Sequence, residues 1–314
     1  MPDYKKLEAT RDAFGKAIVK VASRNPSVSV FGCDLYVATK TDEFKKTYPD
    51  RYFECGIAES NAISQAAGYA LEGGRPFVVS FGHFLTAMYL PITQSVMQNN
   101  SPVVLTGTHS GLAIGKDGPT QMGLRDIGVM RLFPNVEILE PVDTNETEQI
   151  VEYLANSRSP AYLRIGRQPV PQVTSENYKF ALGKGNILRI GNDLSVIATG
   201  GVVGSSLQAA DELKEEKGID ATVVNMSSIK PYDRDLVLEL AEDTGKIFTV
   251  QDHYIDGGLG DFIAKDLVDN GVTARQRNWG VTDFAQSASP EDLYARYMLD
   301  KNGIKRKILE FVES

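Results

Sequence analysis

Short apolar runs rich in β-branched residues alternate along this chain with amphipathic stretches at helical spacing, and this rhythm constrains the fold more than any single motif does. Val28-Ser-Val-Phe31, Pro76–Phe81, Pro102–Gly107, Val136–Leu139 and Ala161–Ile165 read as strands. Segments with Ala, Ile and Phe at three- and four-residue spacing separate them: Leu7–Ala22, Glu59–Tyr69, about 84 to 98, and Thr144–Asn156. Strands that recur one helix apart are joined in parallel, so the fold class is α/β. From Gln168 to Asn186 the pattern loosens, with prolines and glycines and no clear period, which reads as a surface linker. A second, smaller unit then repeats the rhythm, with strands Leu194–Ala198, Thr222–Asn225 and Ile247–Val250, helices near 203–216, 233–242 and 258–269, and further helices from about 290. At 314 residues the chain exceeds one ordinary core. The sequence therefore predicts two parallel-sheet α/β domains, residues 1–170 and 189–314, with a linker at 171–188.

Charge and composition exclude several partners. Asp plus Glu outnumber Lys plus Arg by 41 to 33, for a net charge of -8, which disfavours nucleic acid or an anionic membrane surface. Two cysteines, Cys33 and Cys55, and three histidines are too few for a disulfide framework or a multi-ligand metal centre, so no metal site is expected. The first residues are charged and amphipathic, without the apolar core of a secretion signal, and no run approaches the length of a membrane span. A cytoplasmic protein is expected.

Four segments carry chemistry. In RYFECGIAESNA, Glu59 opens a helix built from small residues; it can serve as a dipole-stabilising acid or share a proton with a ligand nitrogen. In SFGHFLTAMY, a strand turns into a helix with Phe81, Phe84 and Tyr89 close together, at the strand end where open α/β sheets bind flat ligands. THSGLAIGKDGPTQ is a long glycine-rich loop on which His109 and Asp117 can converge on a small hydroxylated substrate. LRIGRQ ends the last strand of the first unit, and its Arg167 can clamp a phosphate; Arg11, on the first helix, is a second candidate.

Taken in order, these segments resemble the carboxyl-terminal half of transketolase, a thiamin-diphosphate enzyme, and QDHYIDGGLGD at 251–261 resembles part of that family's terminal domain. The resemblance implies a pyrimidine-binding domain followed by a smaller C-terminal domain. It implies that Glu59 hydrogen-bonds the cofactor's aminopyrimidine ring, that Phe84, assisted by Phe81 or Tyr89, walls that ring, and that Asp34 lies near the donor site. His109 and Asp117 would hold sugar hydroxyls, with His109 also catalytic, and Arg11 and Arg167 would grip the sugar phosphate. The Gly-Asp-Gly motif of the family's diphosphate-binding half is absent from this sequence. The resemblance therefore implies a split enzyme, in which a partner subunit holds the diphosphate and its Mg²⁺ or Ca²⁺, and the expected assembly is α2β2.

The chain departs from the family pattern in three places. Gln121 stands where a histidine is usual after Gly-Pro-Thr, Ala87 replaces a second wall aromatic, and Ala38 replaces a phosphate-binding serine. Glutamine can exchange hydrogen bonds but carries no proton near neutral pH, so an atypical ketose phosphate is the expected donor for ketol transfer. The β subunit of a 2-oxo acid dehydrogenase shares the domain pair, but the Lys-Asp-Gly-Pro-Thr loop argues against it. A deoxyxylulose-phosphate synthase normally carries all its domains in one chain, and a non-catalytic scaffold is the alternative of another class. For His253 the expectation is a structural or dimer-edge role.

Overall fold

The apolar runs become the strands of two sheets in the computed structural model of this chain, which describes residues 2–314. The first sheet runs in the order Ser228–Lys230, Glu137–Leu139, Ala161–Arg164, Val104–Thr108, Arg75–Phe81, Val28–Gly32, Tyr52–Glu54, and every neighbour pairs in parallel except Ser228–Lys230. Its central strands are buried on both faces, which is why they read as continuous apolar runs and not as alternating ones. Phe77 and Val79 face Phe14 and Ile18 of the helix Thr10–Ala22 and Ile150 and Leu154 of the helix Thr144–Asn156. Val78 faces the opposite way, with Phe31 and Leu105, onto Ala62, Ile63 and Ala66 of the helix Glu59–Leu71. Alanines on that helix let it lie close to the sheet.

The second sheet runs Arg275–Val281, Lys246–Tyr254, Leu194–Ala198, Ala221–Asn225, Asn186–Arg189, parallel except for its last edge strand. Two mainly parallel α/β units are thus present, as expected. Both glycine-rich and aromatic segments fall at the carboxyl edge of the first sheet, because every crossover in a parallel sheet leaves the strands from that side.

Three local expectations are corrected. The helix expected from Leu7 starts at Thr10; Asp3–Ala9 is extended and pairs antiparallel with Pro169–Gln172, leaving Leu7 exposed. That pairing also gives structure to the stretch expected as linker. Asp143 fixes it: one carboxylate oxygen accepts the Glu146 N–H at 3.0 Å as the cap of the helix Thr144–Asn156, and the other accepts the N–H groups of Val173 at 2.9 Å and Thr174 at 2.7 Å. The helix expected over 84–98 is interrupted, running as Gly82–Ala87, Tyr89–Pro91 and a π-helical Ile92–Met97, with Met88 off helical geometry at φ -88°, ψ 41°.

Asp143→Ala removes a helix cap and leaves two buried N–H groups unpaired. It is expected to lower stability by about 3 kcal/mol and to open the segment 169–182 to protease; urea unfolding and limited proteolysis measure the two effects.

Candidate active site

Each candidate residue leaves the first sheet at its carboxyl edge. Asp34 follows Val28–Gly32 with φ +57°, and its N–H donates to the Glu54 carboxylate at 2.8 Å. Glu54, at the end of the neighbouring strand, also accepts the Gly56 N–H at 3.2 Å, so one side chain ties the Asp34 turn to the loop that leads into Glu59. Glu59 begins its helix half-buried, and the Ser80 hydroxyl donates to one of its carboxylate oxygens at 2.8 Å. Among the described residues no other group hydrogen-bonds that carboxylate.

One residue beyond Ser80, Phe81 lies in a ring stack. His109 packs on one of its faces with centroids 4.0 Å apart, and Phe84 stacks with it at 5.4 Å and 9°. Phe81 is buried by these neighbours, while Phe84 is only partly buried and keeps a face for a flat ligand. Tyr89, expected near this wall, stacks instead on Phe133 at 5.0 Å, because the helix breaks before it. The structure therefore brings Phe81 and Phe84 together with His109 and leaves Tyr89 apart.

His109 carries the densest electrostatics of the edge. The Arg11 guanidinium donates to its Nε2 at 2.7 Å and to the Ala38 carbonyl at 3.1 Å. Arginine can only donate, so Nε2 accepts and the ring proton sits on Nδ1, where it is given to the Thr108 hydroxyl at 2.9 Å. Burial, then Arg11 and Arg167, push the imidazole down to about 3, so His109 is a neutral hydrogen-bonding group throughout the physiological range. Burial also lowers the Arg11 guanidinium, with Arg167 adding repulsion while Asp12 opposes. Arg167 pairs with Asp117 at 3.2 Å, both half-exposed, and Gln121 sits half-buried one tight turn beyond, its N–H donating to the Gly118 carbonyl at 3.1 Å.

Beneath the loop lies a network that the motifs do not single out. The side chain of Arg164 is 2% exposed and pairs with Asp126 at 2.9 Å and with Glu140. Its remaining nitrogen donates to the carbonyls of Gly123 and of Asp252, both at 2.8 Å. The Tyr162 hydroxyl donates to Asp126 at 2.8 Å, reaching it over Gly107, where a Cβ would lie 2.1 Å from that oxygen. Burial pushes the Asp126 carboxyl up, but Arg164, with His253 and Tyr162, outweighs it and holds the carboxyl below its usual range. His253 accepts the Gly128 N–H on Nε2 at 3.3 Å and donates from Nδ1 to the Tyr254 carbonyl at 2.7 Å; burial pushes it down to about 4. Its place is structural, at the join between the two domains. Arg164 stands inside the LRIGRQ segment, one residue type among many; only its zero-solvent setting marks it.

A carboxylate with an uncommitted oxygen beside an aromatic face, next to a neutral histidine and two mutually repelling guanidiniums, is a set suited to an aminopyrimidine ring and a phosphorylated polyol. Comparison with known proteins agrees. The description "Transketolase, pyrimidine binding domain" matches residues 7–172, and "Transketolase, C-terminal domain" matches residues 183–304. The chain belongs to the transketolase family, as its pyrimidine-binding and C-terminal domains in one free-standing polypeptide. It is 36% identical over 97% of its length to a subunit of the apulose-4-phosphate transketolase of Phocaeicola vulgatus, covering 98% of that protein. A solved split-gene transketolase, described as an inactive β4 tetramer, superposes with a TM-score of 0.89 at 34% identity, covering 97% of this chain and 98% of that one. Human transketolase is 33% identical over 98% of this chain, which spans only 50% of that enzyme.

The buried imidazole of His253 makes acid stability measurable. Its folded pKa of about 4 lies below the ordinary 6.5, so the unfolded chain binds a proton that the folded chain refuses, and stability falls as pH drops from 6.5 toward 4. Asp252, raised to about 6 by burial, contributes with the opposite sign over its own window, losing stability as pH rises toward 6. His253→Gln, set against the parent chain, is expected to flatten the slope between pH 4.5 and 6 by about 1.4 kcal/mol per pH unit, one proton's worth. Urea midpoints across that range read it.

Proposed function

We propose that this chain is the C-terminal subunit of a split transketolase, which moves a two-carbon ketol unit from a ketose phosphate to an aldose acceptor with thiamin diphosphate. The observation that carries the reading is the convergence of Glu59, the face of Phe84, His109, Arg11 and Arg167 on one sheet edge. The cofactor supplies the nucleophilic carbon. Among the described residues no three His, Cys, Asp or Glu side chains gather at one point. We assign the diphosphate and its Mg²⁺ or Ca²⁺ to a partner subunit; the 50% span of the human enzyme supports a missing half.

Each side chain has a part. Glu59 accepts a hydrogen bond from the aminopyrimidine with the oxygen that Ser80 leaves free, and the carboxylate can hold the ring proton there. Phe84 gives the ring a flat apolar contact and keeps water from that side. His109 is neutral and offers its Nε2 lone pair, so it accepts from a substrate hydroxyl when Arg11 turns toward the phosphate. An anion between Arg11 and Arg167 relieves the repulsion of the two guanidiniums. Asp117, paired with Arg167 in the free chain, is placed to accept a sugar hydroxyl once the phosphate claims the arginine. Gln121 offers an amide where a proton-carrying group is usual, which suits a donor handled by hydrogen bonding alone. The name of the Phocaeicola relative makes apulose 4-phosphate the first donor to test. The relative described as inactive is an assembly of β chains only, which supports a chain that works only with its partner, with α2β2 as the working assembly.

Mixed with a diphosphate-binding partner, thiamin diphosphate and Mg²⁺, the chain should release an aldose phosphate from a ketose phosphate; no turnover with any donor would favour the scaffold reading. Glu59→Gln is expected to lower hydrogen–deuterium exchange at the cofactor's C2, and turnover with it, by at least about a hundredfold, with assembly intact by gel filtration. A variant that keeps most of its exchange rate removes Glu59 from this role. Arg167→Ala is expected to raise KM for phosphorylated sugars about tenfold while leaving KM for the free sugars nearly unchanged; steady-state kinetics on matched pairs checks it.

A further inference from the structure

The loop that carries His109 and Asp117 is held by the other domain. Its own bonds are few: the Gly111 N–H donates to the Gly123 carbonyl at 2.9 Å, and Ser110 bridges to Gly123. At its base, the Leu112 N–H donates to the Asp252 carboxylate, 3.0 Å from one oxygen and 3.1 Å from the other, and the Tyr294 hydroxyl donates to the same carboxylate at 2.5 Å. Gly111 has φ +83°, and a Cβ there would lie 2.0 Å from that carboxylate, so the backbone passes as close as only glycine allows. The other arm of the loop is held too, since the Tyr254 N–H donates to the Leu124 carbonyl at 2.8 Å. At the tip, a Cβ on Gly115 would meet Pro290 at 3.1 Å and one on Gly118 would meet the Ser287 hydroxyl at 2.5 Å. His109 itself stands at φ +57°, a left-handed conformation that a non-glycine residue keeps only when both sides are fixed. On one side it is fixed by the strand Val104–Thr108; on the other, three residues away, by Asp252.

We propose that Asp252 and Tyr294 are positioning residues for sugar-phosphate binding, holding the loop of the first domain so that His109 and Asp117 face the substrate. The proposal rests on the split-transketolase reading. It makes the second domain a clamp on the substrate loop with no hold on the cofactor ring, because Glu59 and its partner Ser80 lie on other elements and share no hydrogen bond with the clamp.

The two functions therefore separate. In the complex with a diphosphate-binding partner, thiamin diphosphate and Mg²⁺, Asp252→Ala is expected to raise KM for the ketose phosphate about tenfold and Tyr294→Phe about threefold. Exchange at the cofactor's C2 stays within about twofold of the parent in both. Asp252→Asn, which keeps an acceptor for the Leu112 N–H, is expected to recover KM to within about threefold. In the chain alone, amide exchange at Leu112 is expected to accelerate in Asp252→Ala and Tyr294→Phe, a readout that does not depend on turnover. Unchanged KM in both variants, unchanged Leu112 exchange, or C2 exchange that falls in step with turnover overturns the clamp. If Asp252→Ala fails to assemble, Tyr294→Phe, one hydroxyl lighter, decides by the same readouts. A parent complex that turns over no ketose phosphate refutes the reading of function, whereas Leu112 exchange still reports on the clamp.

Discussion

The buried guanidinium of Arg164 is the point on which this structure turns. One side chain with almost no solvent contact meets the carboxylates of Asp126 and Glu140, the carbonyl of Gly123 in the substrate loop and the carbonyl of Asp252 in the second domain. Taking such charges out of water is costly, and the attraction within the pair repays it only when the remaining donors and acceptors are also matched. Here the matching groups come from three places in the chain, so the charges are satisfied only when sheet, loop and second domain are assembled together. The network fixes an arrangement more than it adds net stability. Removing one partner of such a pair is the damaging change, costing about 3–5 kcal/mol, because it strands the other charge.

From that anchor the carboxyl edge of the first sheet follows. Parallel strands deliver every crossover to one side, so the turn after Gly32, the helix after Glu54, the aromatic pair after Ser80, the loop after Thr108 and the arginine after Ile165 open into one crevice. The crevice then sorts its groups by environment. The histidine is buried between cations and stays neutral, while Asp117 and Arg167 lie outside it, half-exposed and paired. The same edge thus holds a fixed inner wall of Phe81, Phe84 and His109 and an outer ion pair that a charged substrate can open. The split between them follows solvent access: desolvation sets the state of the inner group, and screened attraction holds the outer pair.

Much of this is legible in the residues. Strands buried on both faces announce themselves as unbroken β-branched runs, and Glu59, His109 and Arg167 can be picked out because a lone acid on a small-residue helix, a glycine-rich loop and a strand-end arginine are each unusual for a purely structural role. Sequence distance groups Tyr89 with the aromatic wall, but the break at Met88 turns its ring onto Phe133. The segment after Gln168 carries no period because its order comes from outside itself, from the strand Asp3–Ala9 and the Asp143 carboxylate.

The sequence by itself determined what local physics can express: the α/β class, the strands and most helices, and the residues that could do chemistry at strand ends. Tertiary structure alone decided which of those residues meet, that Arg11 donates to His109, that Ser228–Lys230 crosses over to complete the first sheet, and that Asp252 holds a loop 140 positions earlier in the chain. The physical reason is range. Apolar periodicity and turn propensity act over a few residues and are written wherever they act, whereas a buried charge or a borrowed N–H is satisfied by whatever the folded chain brings within about 3 Å, and nothing near it in the sequence records the partner.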